Sequence, residues 1–162
     1  MKLITKQNIA VLNSILETGS YKPDPKLNLM TRGEYEEMFL HYKEKTNISI
    51  NAAIWSWYRA NNIRMDNLDN LQDKIEIMDD FYKPAKNSQA VIFLLEVPDE
   101  IVYMTDAYAW SDYIADTPED QLLYPFNWHP KVPLQQSDIF YIQAIFPTIE
   151  KDYLLDYKII SV

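Results

Sequence analysis

The sequence predicts an α+β fold: one domain over residues 1–162, holding a mixed or antiparallel sheet of about five or six strands and about three or four helices. Three observations carry that prediction. Apolar extended runs such as "QAVIFLLEV" are separated by segments whose apolar residues recur at helical spacing. The order of the two kinds of segment shows no regular βαβ alternation. A chain of 162 residues also buries roughly 70% of its unfolded surface, enough for one substantial core.

"KLIT" reads as a short opening strand. Ile9, Leu12, Ile15 and Leu16 then recur at helical spacing, and Gly19 is placed to end that helix. "YKPDPK" must be extended or turning, because prolines bias their predecessors away from helix. Thr31 is placed to cap a second helix, with Tyr35, Met38, Phe39 and Tyr42 as its apolar stripe. The aromatic stretch "NAAIWSWYRANN" reads as a strand, and Leu71, Ile75, Met78 and Tyr82 as a third helix. "QAVIFLLEV" is the clearest strand, followed by a turn at "PDE" and an extended "IVYMT". Asp106 can cap a short helix with Ala107, Trp110 and Ile114 on one face. Four prolines make residues 117–136 a long loop. "IFYIQAIF" and "LLDYKIIS" are two closing strands around a turn near Glu150 to Tyr153.

Composition bounds function. The formal net charge of −9 repels phosphate backbones and attracts basic surfaces, so direct DNA binding is not expected. The chain has no cysteine, which rules out disulfides, thiolate nucleophiles and zinc-thiolate sites and suits a reducing cytoplasm. The opening "MKLITKQNIAV" lacks the long apolar segment of a signal peptide, and the run "AVIFLL" is too short to span a bilayer. A cytoplasmic protein is the expectation. Glycine occurs only at Gly19 and Gly33, too far apart for a P-loop and too few for a dinucleotide fingerprint. No G-x-S-x-G elbow is present.

Few residues suggest chemistry. Glu37, His41 and Glu44 share one helix face as metal ligands do, but that helix also carries Lys43 and Lys45, the pattern of a solvated face; no metal site is expected. His129, in "FNWHPK", is either a loop acid–base or a histidine packed beside Trp128. "DNLDNLQD" lacks the glycine and ligand alternation of a calcium loop. Glu96 inside the strongest strand is either functional or turned to solvent, since an unpaired buried carboxylate is costly. If residues 54–59 alternate as a strand, Trp55, Trp57 and Arg59 share one face and Ile54, Ser56 and Tyr58 the other. Two indoles and a guanidinium in a row either stack on a ligand or partner, or lie in the core with Arg59 emerging at the strand end.

Several phrases resemble an uncharacterised bacterial domain family: the opening "LIT", "ILETGSY", "IWSWY", "LLEVPDE" and "TDAYAW". "NSILETG" and "IQAIFPTIEKDYLLDYKIIS" are also similar to stretches of the ADP-ribosyltransferase superfamily. That resemblance implies an ADP-ribosyltransferase-like fold and NAD as a cofactor. The catalytic glutamate it implies falls near Ile145, beside Gln143 and Ala144, and its first-strand His or Arg corresponds to Thr5. Both departures argue against the usual catalysis, leaving Glu150 as the nearby carboxylate.

Three readings follow. In the first, the chain is a non-catalytic acidic binding protein whose partner has a basic surface. An example is a phage or mobile-element inhibitor of a nucleic-acid-handling defence enzyme, such as a CRISPR protein. It needs no cofactor. In the second, it is a transferase-like enzyme acting on NAD or RNA, with Trp55, Trp57, Tyr58 and Arg59 lining a cleft and Tyr21 and Lys22 meeting phosphate or ribose. That reading requires Glu96, His129 or Glu150 to converge on the cleft. In the third, the aromatics form an oligomer interface. The sequence favours the first.

Overall fold

The structure, a computed structural model, describes residues 1–27, 34–61, 63–81, 89–107, 110 and 141–161. Thr31, Gly33, Tyr82, Ile114 and the 117–136 segment with His129 lie outside these residues. Strand β1 (Lys2–Asn8) leads directly into helix α1 (Ile9–Thr18). Asn8 makes the switch, because its side-chain oxygen accepts the Ala10 N–H at 2.9 Å and caps the first turn. Gly19 ends the helix at φ 88°, a left-handed conformation that glycine adopts without penalty, and donates its N–H to the Ile15 carbonyl. The chain continues through β2 (Ser20–Tyr21), α2 (Glu34–Thr46), β3 (Ile54–Ala60), β4 (Ile63–Arg64) and α3 (Leu71–Phe81). It then runs through β5 (Gln89–Glu96), β6 (Tyr103–Asp106), β7 (Tyr141–Phe146), β8 (Ile149–Glu150) and β9 (Leu154–Ser161).

Seven strands form one sheet in the order β6-β7-β3-β1-β5-β9, with β4 folded back onto β3. Every neighbouring pair described is antiparallel, so of the two sheet types expected the antiparallel one is present. A separate two-stranded sheet joins β2 to β8. The fold is α+β, with helices on both faces of the main sheet. On one face α1 buries Val11, Leu12 and Ile15 against Leu3, Val91, Phe93, Leu95 and Ile142. On the other, Met78 of α3 packs with Ile4, Trp57 and Ile92, and Met38, Phe39 and Tyr42 of α2 pack with Tyr103 and Ile145. A strand covered on both faces explains why the Ala90–Leu95 run of β5 is apolar at every position instead of alternating.

Two local expectations change. Leu16, expected in the α1 stripe, is 50% exposed, and Val11 takes the buried place. Asp99–Ile101 form a 3₁₀ turn, so the strand expected from "IVYMT" begins only at Tyr103. The turn expected near Glu150 to Tyr153 is present as a 3₁₀ helix, Lys151–Tyr153. Among the described residues no helix is long and apolar enough to cross a membrane.

Candidate functional site

The tryptophans of β3 are committed to packing. Trp55 stacks on Trp110 with ring centres 5.6 Å apart, and Tyr35 of α2 meets Trp55 edge-on at 6.1 Å. Tyr35 also stacks on Phe39 at 6.0 Å. Offset and edge-to-face contacts of this kind lock rings in place. Trp57 is only 5% exposed, meeting Tyr141 edge-on at 6.3 Å. At that burial, clustered with Met78 of α3, its ring presents no open face.

Arg59 does not share their face. The register runs from Trp57 opposite Gln143 directly to Arg59 opposite Ile142, so Tyr58 is an extra, bulged residue. After the bulge the alternation is reversed. Ile142 belongs to the core under α1, whereas both tryptophans lie on the α2 and α3 side. Tyr58 packs against that same α1-side core, and the Arg59 Nε donates to the Asn61 carbonyl at 2.7 Å. The row of two indoles and a guanidinium expected from strict alternation is therefore split across the sheet.

A different set does converge. Pairing of β2 with β8 sets Ser20 opposite Glu150 and Tyr21 opposite Ile149, and the Gly19 carbonyl accepts the Lys151 N–H at 2.8 Å. This joins the end of α1 to the turn Lys151–Tyr153. Tyr21 and Tyr153 both lay part of their rings on the α1-side core. Burial first, then the negative charges of Glu150, Glu100 and Asp152, push the Tyr153 phenol up from its ordinary pKa. Burial and Asp24 do the same to Tyr21. Lys22, beside Tyr21, is exposed. The corner thus presents two half-buried phenol rings among carboxylates, of which Glu100, Asp152 and Asp24 are exposed. Such a set suits a guanidinium or ammonium group, through ring-face attraction and charge-assisted hydrogen bonds.

The other named residues lie apart. Glu96 is exposed and sits opposite Lys2 at the end of β5, as the solvent-facing alternative required. Gln143 is buried beside Trp57 within the sheet. Arg59 lies five residues along β3 from Ile54, roughly 16 Å, whereas Glu150 follows the Phe146 end of β7, which pairs with Ile54. Thr5 and Ile145, where the transferase resemblance puts catalytic groups, are both fully buried. Thr5 donates its hydroxyl to the Trp55 carbonyl at 2.7 Å. On α2, His41 stands 3.4 Å from Glu44 and 4.0 Å from Glu37. Among the described residues no three His, Asp or Glu side chains are arranged to hold a metal ion.

Tyr153, Glu100 and Asp152 are functional candidates that sequence reasoning missed. Acidic neighbours flank Tyr153 in "EKDY", but nothing local to either segment shows that Glu100 comes to the same place. The chain matches no protein-family model, no curated protein and no solved structure.

Proposed function

We propose that this is a non-catalytic acidic binding protein that engages a basic surface on a partner protein through the Tyr21–Tyr153 corner. The observation that carries the reading is the β2–β8 pairing and the Lys151 N–H to Gly19 carbonyl bond, which join Tyr21 to the turn holding Glu150, Asp152 and Tyr153. There burial and the carboxylates of Glu150, Glu100 and Asp152 push the Tyr153 phenol up. A net charge of −9 supplies the long-range attraction, and the corner supplies contacts selective for arginine or lysine. A partner whose basic groove ordinarily holds nucleic acid fits this chemistry, and an inhibitor carried by a phage or mobile element acts by occupying such a groove.

The test is capture of a partner from a bacterial lysate on the immobilised protein. The triple substitution Glu100→Gln, Glu150→Gln, Asp152→Asn should lose the partner while keeping the wild-type melting temperature. If the triple variant holds the same partner equally well, the corner is not the contact. Transferase chemistry is tested separately with NAD and ADP-ribose. A ligand at 100 times its dissociation constant adds about 2.7 kcal/mol, which raises the melting temperature by several degrees. No rise is the expected result.

A further inference from the structure

The sheet ends differently on its two sides. β6 closes one side as a four-residue strand whose residues are all buried. β9 closes the other as an eight-residue strand that, among the described residues, pairs only with β5. Leu155, Tyr157 and Ile159 of β9 are 45%, 37% and 54% exposed. Edge strands are ordinarily kept from pairing by being short, by proline, by bulges that twist the edge away, or by charges that repel a second strand. β9 has neither proline nor glycine, and its two charges are of opposite sign on either side of Tyr157. A bulge at Leu155, where the register passes from Asp156 opposite Leu94 to Leu154 opposite Leu95, interrupts only its first residues.

That arrangement makes β9 complementary to itself. From Leu154 to Ile160 the chain reads Leu-Leu-Asp-Tyr-Lys-Ile-Ile. When a second β9 runs antiparallel to the first with Tyr157 opposite Tyr157, Asp156 faces Lys158 twice. The bulge at Leu155 breaks strict alternation before Asp156, so the match is carried by Asp156, Tyr157 and Lys158, with the exposed Leu155 and Ile159 flanking it. Residues directly opposite in an antiparallel pair have Cβ atoms about 5 Å apart, so each Asp–Lys pair is within ion-pair reach. A slip by one residue loses the match, because it moves every side chain to the wrong face.

We infer that β9 is a homodimer edge: two copies of this chain pair β9 with β9 about a two-fold axis at Tyr157 and join their sheets into one. In the single chain the Asp156 carboxylate accepts the Tyr157 N–H at 2.8 Å, so it covers the backbone group at the axis. In the dimer that carboxylate turns to Lys158 of the second copy and leaves the edge to the incoming backbone. The interface is isologous and closes at two copies.

Analytical ultracentrifugation over a concentration series tests this. The wild type should show a monomer–dimer equilibrium. Lys158→Asp sets like charges opposite at both symmetric positions and should raise the dissociation constant about tenfold or more. The double exchange Asp156→Lys with Lys158→Asp restores opposite charges and should restore the dimer, which separates loss of pairing from loss of folding. In hydrogen exchange, the amides of residues 154–160 should gain protection as concentration rises. A wild type that stays monomeric up to about 1 mM overturns the inference. So does a dimer that Lys158→Asp leaves intact, since the copies then meet elsewhere.

Discussion

Gly19 holds more of the molecule together than its missing side chain suggests. Its φ of 88° ends α1, and its carbonyl receives the Lys151 N–H that anchors the acidic corner. A Cβ placed there meets nothing within 4 Å, so Gly19→Ala carries conformational strain alone. The expected cost is about 1–2 kcal/mol, read as a lower denaturant midpoint at unchanged slope. Tyr42 gives a pH dependence whose sign follows from its surroundings. Its ring is fully buried, its phenol donates to the Ile101 carbonyl at 2.7 Å, and burial pushes its pKa from 10.0 up to about 12. Between those values the folded chain keeps a proton that the unfolded chain has lost. Stability from this group is therefore complete below pH 10 and is lost as pH rises through about 12, a change of about 3 kcal/mol. Unfolding midpoints measured from pH 9 upward check it. Tyr42→Phe should flatten that decline while costing about 1 kcal/mol for the lost hydrogen bond.

At the level of elements, one ion pair fastens α3 to the sheet. The Lys6 ammonium, with its side chain 4% exposed, bonds to the Asp79 carboxylate on α3, which is 32% exposed. Removing one partner leaves a buried charge, so Asp79→Ala should cost about 3 kcal/mol. Replacing both, with Lys6→Met and Asp79→Leu, should bring stability back close to wild type. Chemical denaturation of the two variants decides it. No sequence pattern announces this pair, because lysine in a strand that reads "LITKQN" looks solvent-facing until α3 is known to lie over it. Lys74 is hidden in the same way, held by the Asn67 carbonyl at 2.7 Å and the Asn67 Oδ1 at 2.8 Å. What the sequence does show is periodic. The stripe Met38, Phe39 and Tyr42 and the run from Ala90 to Phe93 are buried as their spacing predicts, since burial on one or both faces writes itself into local pattern. The β2–β8 pair leaves no such trace: two residues are too few for alternation, and only their pairing defines them as strands. The bulge at Tyr58 is invisible for the opposite reason, because "IWSWYRA" alternates too well to suggest an extra residue.

For the whole molecule, charge separates the two associations. Binding to a basic partner is an attraction between opposite fields. Raising salt from about 0.01 M to about 0.15 M shortens the screening length from about 30 Å to about 8 Å and should weaken it, mainly by slowing association. Pairing two copies brings together bodies that each carry a formal charge of −9, and their mutual repulsion acts over those same distances. The favourable Asp156–Lys158 contacts act at a few ångströms, where salt screens far less. Dimerisation should therefore strengthen over the same rise in salt that weakens partner binding. Sedimentation equilibrium at the two salt concentrations reads the first effect, and association kinetics with the captured partner read the second. Opposite signs are expected of the one protein. A dimer that weakens with salt would mean that ion pairs outweigh the net charge, and that the copies meet through more charged contacts than β9 supplies.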